Sequence, residues 1–358
     1  MREDRLERVR GRLSELGIDL LVLPPGEDFF YLAGFSPMRD ERACFMLVSS
    51  ERIALLVPRL NADQVARHLD VPVFTYDDAE GPAGALRDAL RVVPQAVVAV
   101  GDDLRADHLL LLQEELPGTR FVVASTVLAP LRMRKDPDEL DALRRSAATA
   151  DAGVLGAVQA CWPGATERDV ATRAAQAIHR AGAALFTLVA SGPHSAFPHH
   201  ETTDRALQRG EPVLLDVGAR VDGYCSDITR MVFLGEPTAR YREIHGVVEE
   251  AVRAAHGAIR PGVPIAEVDR AARRVIAQAG YADRFVHRTG HGLGLSPHEP
   301  PSVTHTNLLP LEEGMVFTVE PGIYLPGEFG VRLEEVVVVH AHGPEILSRL
   351  PRDPIVVP

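Results

Sequence analysis

The chain has 358 residues, a 46% apolar fraction and a formal net charge of −12. That length exceeds a usual single core, so two domains are expected, and the acidity argues against nucleic acid or an anionic membrane as partner, since both need a basic face. No run approaches the roughly 18 apolar residues of a membrane span, and the widely spaced Cys44, Cys161 and Cys225 form no C-x-x-C pair and fit a reducing cytoplasm.

In chain order, MREDRLERVRGRLSELG places Leu and Val at helical intervals among charges and predicts an amphipathic helix rather than a signal peptide. To about residue 130, short strand candidates (DLLVLP, ACFMLVS, RIALLVP, VPVFTY, AVVAVG, RFVVAS) alternate with helical stretches such as ADQVARHL and DHLLLLQEEL. This is α/β patterning. Pro137, flanked by Asp136 and Asp138, opens a long helical stretch and puts the domain boundary near residue 131, giving domains 1–130 and 131–358. The second part mixes helices (ERDVATRAAQAIHR, REIHGVVEEAVRAAHGAI, IAEVDRAARRVIAQAG) with strands at EPVLLDVGA, GMVFTVEPGIYL and VRLEEVVVVH, an α+β arrangement.

Three clusters in the second part carry chemistry. LLDVGARVDGYCSDITR, residues 214–230, reads as a hairpin turning near Asp222-Gly223. A turn on Val221-Asp222 sets Asp216 opposite Asp227; a turn on Asp222-Gly223 makes them diagonal neighbours about 7 to 8 Å apart. In both registers the carboxylates share a face, so one takes a proton, a cation lies between them, or both reach water. RTGHGLGLSPHEPP, residues 288–301, sets His291 between two glycines, with His298 seven residues later. An uninterrupted strand would point the two rings to opposite faces, so a shared site requires a bend. FTVEPGIYLPGEFGVRLEE, residues 317–335, ends one apolar strand at Glu320 and carries Glu334 in the next, with Arg332 at the same parity.

Singly, these motifs read as an exposed edge, a structural histidine and a cross-strand ion pair. Together they place four carboxylates at the ends of apolar strands, where unpaired charge is costly. Four carboxylates and one imidazole match a pair of divalent first-row cations, which would turn a shared water into hydroxide at neutral pH.

In the contexts DVGARVDGYCSD, TGHGLG, TVEPGIY and GVRLEE, these residues resemble the metal ligands of the pita-bread dinuclear metallopeptidases, the superfamily of methionine aminopeptidase, aminopeptidase P and prolidase. The resemblance implies a C-terminal pita-bread domain preceded by a smaller α/β creatinase-type domain, which in the family serves oligomerisation and overhangs the active site, and it implies a homodimer. By the same resemblance Asp227 and Glu334 bridge two metals, Asp216 completes one site, and His291 with Glu320 completes the other. Glu320 would also handle the proton of the attacking water. Mn²⁺ suits such oxygen-rich donors, and Co²⁺ or Zn²⁺ would also fit.

ASGPHSAFPHH, residues 190–200, resembles the S-G-x-x-x-A-x-P-H segment of the Xaa-Pro peptidases and implies that His199 faces substrate; His298 and Arg332 match that branch too. His200 is read as structural or exposed. The implied reaction is hydrolysis of the Xaa-Pro imide bond in a small peptide. Creatinase does not share the ligands, and methionine aminopeptidases lack the 190–200 segment. Some pita-bread relatives are non-catalytic binding modules that have lost ligands, whereas all five are present here.

Prolidases resembling this chain often carry an Arg just after H-E-x-P, where this sequence has Ser302, and no Arg or Lys lies between His298 and Glu320. Either longer peptides are accepted, as by aminopeptidase P, or a cation arrives from elsewhere. SPMRDERACF offers Arg39 and Arg42 for a substrate carboxylate, although both could equally serve to solvate a loop. The chain is short and resembles compact microbial prolidases along its length, which favours the dipeptidase.

Overall fold

Short apolar runs separated by amphipathic helices build one mixed sheet in the N-terminal part. The computed structural model describes residues 1–91 and 95–358 and divides into two units, Met1–Arg132 and Met133–Pro358. Unit one runs α1 (Glu3–Leu16), β1 (Leu20–Leu23), α2 (Glu27–Ala33), β2 (Phe45–Val48), β3 (Ile53–Pro58), α3 (Arg59–Ala66), β4 (Val73–Tyr76), α4 (Ala83–Leu90), β5 (Val97–Val100), α5 (Ala106–Glu115), β6 (Arg120–Val123) and α6 (Ser125–Met133). Its six strands lie in the order β4-β3-β2-β1-β5-β6. Leu20, Val22, Phe45, Leu47, Leu56 and Val98 pack against residues of α4 and α5, which is why these strands read as continuous apolar runs.

The second unit starts with α7 (Pro137–Val158), whose first turn is closed by a capping box between Asp136 and Glu139. After α8 (Glu167–Ile178) come β7 (Ala183–Ser191), β8 (Pro212–Val221) and β9 (Tyr224–Leu234), which form a four-stranded sheet with the C-terminal β17 (Ile355–Val357). Alternation along β8 decides the faces. Val213, Leu215 and Val217 join the core with α7 and α8, whereas Leu214, Met231 and Phe233 join a second core with α9 (Ala239–Ala258) and α10 (Ile265–Gln278). Asp216 has the parity of Leu214, and Asp227 that of Met231, so both carboxylates belong to the second face.

Val221 pairs with Tyr224, which puts the turn on Asp222-Gly223. Both turn residues have positive φ, 50° and 88°, as a tight hairpin of this hand requires. Asp216 therefore faces Thr229 and Asp227 faces Gly218; the two acids are diagonal neighbours.

Opposite that face lies a five-stranded sheet of β10 (Gly290–Gly292), β11 (Glu299–Val303), β12 (Val316–Val319), β15 (Glu335–His340) and β16 (Gly343–Ile346), with β13 (Gly322–Leu325) and β14 (Phe329–Arg332) forming a separate hairpin. The stretches GMVFTVEPGIYL and VRLEEVVVVH are thus not single strands. Each breaks and changes sheet, the first at Glu320-Pro321 and the second at Leu333-Glu334. Pro321 has no N–H to continue a ladder, and the breaks turn Glu320 and Glu334 out of regular pairing.

The glycines beside His291 allow close strand approach. A Cβ on Gly290 would lie 1.8 Å from the Thr318 carbonyl oxygen, and one on Gly292 would lie 2.2 Å from that of Pro300. Gly290→Ala is expected to destabilise the protein by about 2 to 4 kcal/mol, read as a lower denaturant midpoint. An unchanged midpoint would show that β10 does not need this approach.

Candidate metal centre

Asp216, Asp227, His291, Glu320 and Glu334 line one cavity of about 490 Å³, together with His199, His298 and Arg332. The GLSP stretch does bend: the His291 and His298 rings meet edge to face, 4.1 Å apart. Asp227, His291 and Glu334 are buried, and donor atoms of these three lie within 4.8 Å of one another.

Burial pushes Asp227 and Glu334 well above the ordinary carboxylate range, and neighbouring carboxylates push further, Glu334 acting on Asp227 and Glu320 on Glu334. Burial also lifts Glu320 to about 7, against the pull of the Arg332 guanidinium. His291 is driven down to about 3, first by burial and then by His298, so its imidazole is neutral. Its Nδ1 sits 3.1 Å from the Gly292 carbonyl oxygen. A carbonyl can only accept, so Nδ1 carries the proton and Nε2 keeps its lone pair. That lone pair faces Glu320 Oε1 at 3.3 Å and Asp227 Oδ2 at 3.9 Å, an arrangement of acceptors that calls for a cation between them. Asp216 Oδ1 and Asp227 Oδ1 are buried with no hydrogen-bond partner among the described residues. The donor set therefore fits divalent metal: orphaned carboxylate oxygens and one neutral imidazole line one cavity.

Arg332 holds the cluster from behind. Its Nη2 donates to Asp216 Oδ2 at 2.5 Å, Nε to Thr229 Oγ1 at 3.1 Å, and Nη1 to Tyr324 OH at 3.1 Å and the Pro198 carbonyl at 3.3 Å. Thr229 Oγ1 in turn donates to Glu334 Oε2 at 2.7 Å. Arg332, which the resemblance implies faces substrate, lines the same cavity, and its donors are directed at Asp216 and, through Thr229, at Glu334. Arg39 and Arg42 lie in unit one, where Arg39 is paired with Asp103, and Arg42 with Asp78, Asp40 and Glu41.

Two further groups escaped the sequence reading. Lys135, the only lysine, is buried and pairs with Glu299 Oε1 at 2.9 Å, which fixes the residue next to His298. Glu167, in the first turn of α8, is fully buried. Its Oε1 accepts from Ser191 N, Ser191 Oγ and His194 Nδ1 at 2.8 to 3.0 Å. Its Oε2 accepts from His200 Nε2, Thr203 N and Thr203 Oγ1 at 2.7 to 3.0 Å. One carboxylate thus ties both ends of the segment that carries His199. Donors of Glu167, His194 and His200 also converge within 4.8 Å, but six hydrogen bonds saturate the carboxylate, so this is a structural knot. In the sequence, Glu167 looks like an ordinary first-turn acid after the Thr166 cap.

Fold and cavity together define a metallohydrolase with an N-terminal accessory unit. Residues 141–341 match the model of metallopeptidase family M24, and residues 5–134 that of the creatinase/prolidase N-terminal domain. The chain belongs to metallopeptidase family M24 and is an enzyme. It is 40% identical over 362 residues to the probable dipeptidase PepE of Mycobacterium tuberculosis, covering 99% of this chain and 96% of the relative. Among solved structures it resembles the prolidase of Thermococcus sibiricus, with TM-score 0.94 and 31% identity over 100% of this chain and 99% of the other. The X-Pro aminopeptidase of Thermotoga maritima is also similar, with TM-score 0.86 and 31% identity over 98% and 99%.

Burial alone would raise the Glu167 pKa, but hydrogen bonds from Thr203, His200 and Ser191 outweigh it and hold the carboxyl down at about 2. A depressed carboxyl stabilises the fold above its unfolded value of 4.5, and the contribution is lost as pH falls from 4.5 toward 2. Glu167→Gln is therefore expected to cost roughly 3 kcal/mol at pH 7, with the gap to wild type narrowing below pH 4.5 in denaturant melts. A gap independent of pH would contradict the carboxylate's role.

Proposed function

We propose that this enzyme hydrolyses the Xaa-Pro imide bond of dipeptides, with two divalent cations held by Asp216, Asp227, His291, Glu320 and Glu334. The observation that carries this reading is the convergence of those five donors with His199 and His298 around one cavity. By the family resemblance Asp227 and Glu334 would serve both cations, Asp216 one of them, and His291 with Glu320 the other. When bound, the cations supply Lewis acidity and a water acidified to near neutrality. The oxygen-rich donor set suits Mn²⁺.

The chain's own residues do the rest. His199 and His298 donate to the scissile carbonyl oxygen as charge develops on it. Glu320 takes the proton of the attacking water and returns it to the proline nitrogen as the C–N bond breaks; a tertiary amide has no N–H, so the leaving nitrogen depends on that proton. Phe186 and Pro198 give the same cavity an apolar wall suited to the proline ring. The dipeptidase and prolidase named among the relatives support the choice of a dipeptide substrate. Three free, buried cysteines support a reducing compartment, and we place the enzyme in the cytoplasm.

Asp227→Asn and Glu334→Gln are expected to lower kcat/KM by at least on the order of 10³-fold, and a chelator should abolish activity that Mn²⁺ restores. With Ala-Pro and Ala-Pro-Gly at equal metal loading, the dipeptide should be preferred. A strong preference for the tripeptide would overturn the dipeptidase reading in favour of an Xaa-Pro aminopeptidase, and full activity after exhaustive chelation would overturn the metal mechanism.

A further inference from the structure

Two guanidinium groups line the cavity, those of Arg332 and Arg288. Arg332 is buried and its donors are taken up by Asp216, Thr229, Tyr324 and a carbonyl. Arg288 is half-buried and differently placed: Nη1 donates to the Ser302 hydroxyl at 2.9 Å, and no carboxylate of the described residues pairs with it. Across the β10–β11 pair Gly290 faces Val303 and His291 faces Ser302, so Arg288 enters the cavity from the segment just before β10. A cation half out of water, in an acidic cavity where none of the described carboxylates pairs with it, and bonded to a neutral hydroxyl, is poised for an anionic ligand.

We infer that Arg288 binds the C-terminal carboxylate of the dipeptide. This rests on the Xaa-Pro reading and deepens it by naming the group that selects for length. The Arg288 guanidinium and the Ser302 side chain are in contact, so Arg288 delivers to the vicinity of position 302 the charge that the sequence lacks there. A planar guanidinium offers paired N–H groups to both carboxylate oxygens. Ser302 steadies Arg288 when the site is empty and leaves room that a larger side chain would take. A peptide continuing beyond proline would present a neutral amide at this point and leave the guanidinium without a charge partner. Arg39 and Arg42, by contrast, are already neutralised by carboxylates of their own unit.

The test compares Ala-Pro with Ala-Pro-amide, which differ by the terminal charge alone, at equal Mn²⁺ loading, in wild type, Arg288→Ala, Arg288→Lys, Arg39→Ala and Arg42→Ala. Arg288→Ala should lose about 10- to 150-fold more kcat/KM on the acid than on the amide, mainly through KM, and Arg288→Lys should recover part of that loss. Calorimetric binding of L-proline should weaken in Arg288→Ala by a similar factor, and that of L-prolinamide by much less. Equal losses on acid and amide in both Arg288 variants, or a selective loss in Arg39→Ala or Arg42→Ala instead, would overturn the assignment. If wild type cleaves neither peptide, the Xaa-Pro reading falls, while the comparison of proline with prolinamide still decides for or against the Arg288 clamp.

Discussion

Three carboxylates, Asp227, Glu320 and Glu334, line one cavity, with burial first and neighbouring carboxylates next pushing all three above the ordinary range. The Arg332 guanidinium relieves part of that strain, but its direct bond goes to Asp216, and the neutral His291 turns a lone pair toward the same space. Such a cluster persists only if protons or metal ions balance it. Much of the second unit can be read as the frame that holds these groups despite their repulsion.

That frame works at several distances from the acids. Strand alternation in the β8–β9 hairpin puts Asp216 and Asp227 on one face, and two chain breaks bring Glu320 and Glu334 from the facing elements. Arg332 and Thr229 link the two sides through a chain of short hydrogen bonds. Farther out, Glu167 closes the segment bearing His199, and Lys135 secures Glu299 beside His298. These supports are charged or polar groups whose partners lie far away in sequence, and they fix orientation where apolar packing would fix only position.

The two-part architecture was legible because strand and helix periods are local, and the hairpin turn was legible because Asp222-Gly223 tolerates positive φ. Breaks within GMVFTVEPGIYL and VRLEEVVVVH were not. The apolar run continues on both sides of Glu320 and Glu334, so periodicity cannot report that the chain changes sheet. β7 was missed because most of its residues are only partly buried and show no clear alternation. Arg332 illustrates the harder limit: strand parity with Glu334 does not survive the break between them, its bond to Asp216 spans 116 positions, and nothing local signals that its donors are spent. Arg288 stands three residues before His291, yet its approach to Ser302 depends on the β10–β11 pairing.

The central claim is that the buried acids and His291 form one site for two cations. Counting metal tests it most directly: the metal-free chain is saturated with Mn²⁺, freed of unbound ion, and measured by elemental analysis against protein concentration. The account predicts two ions per chain. One ion, or none, would contradict it.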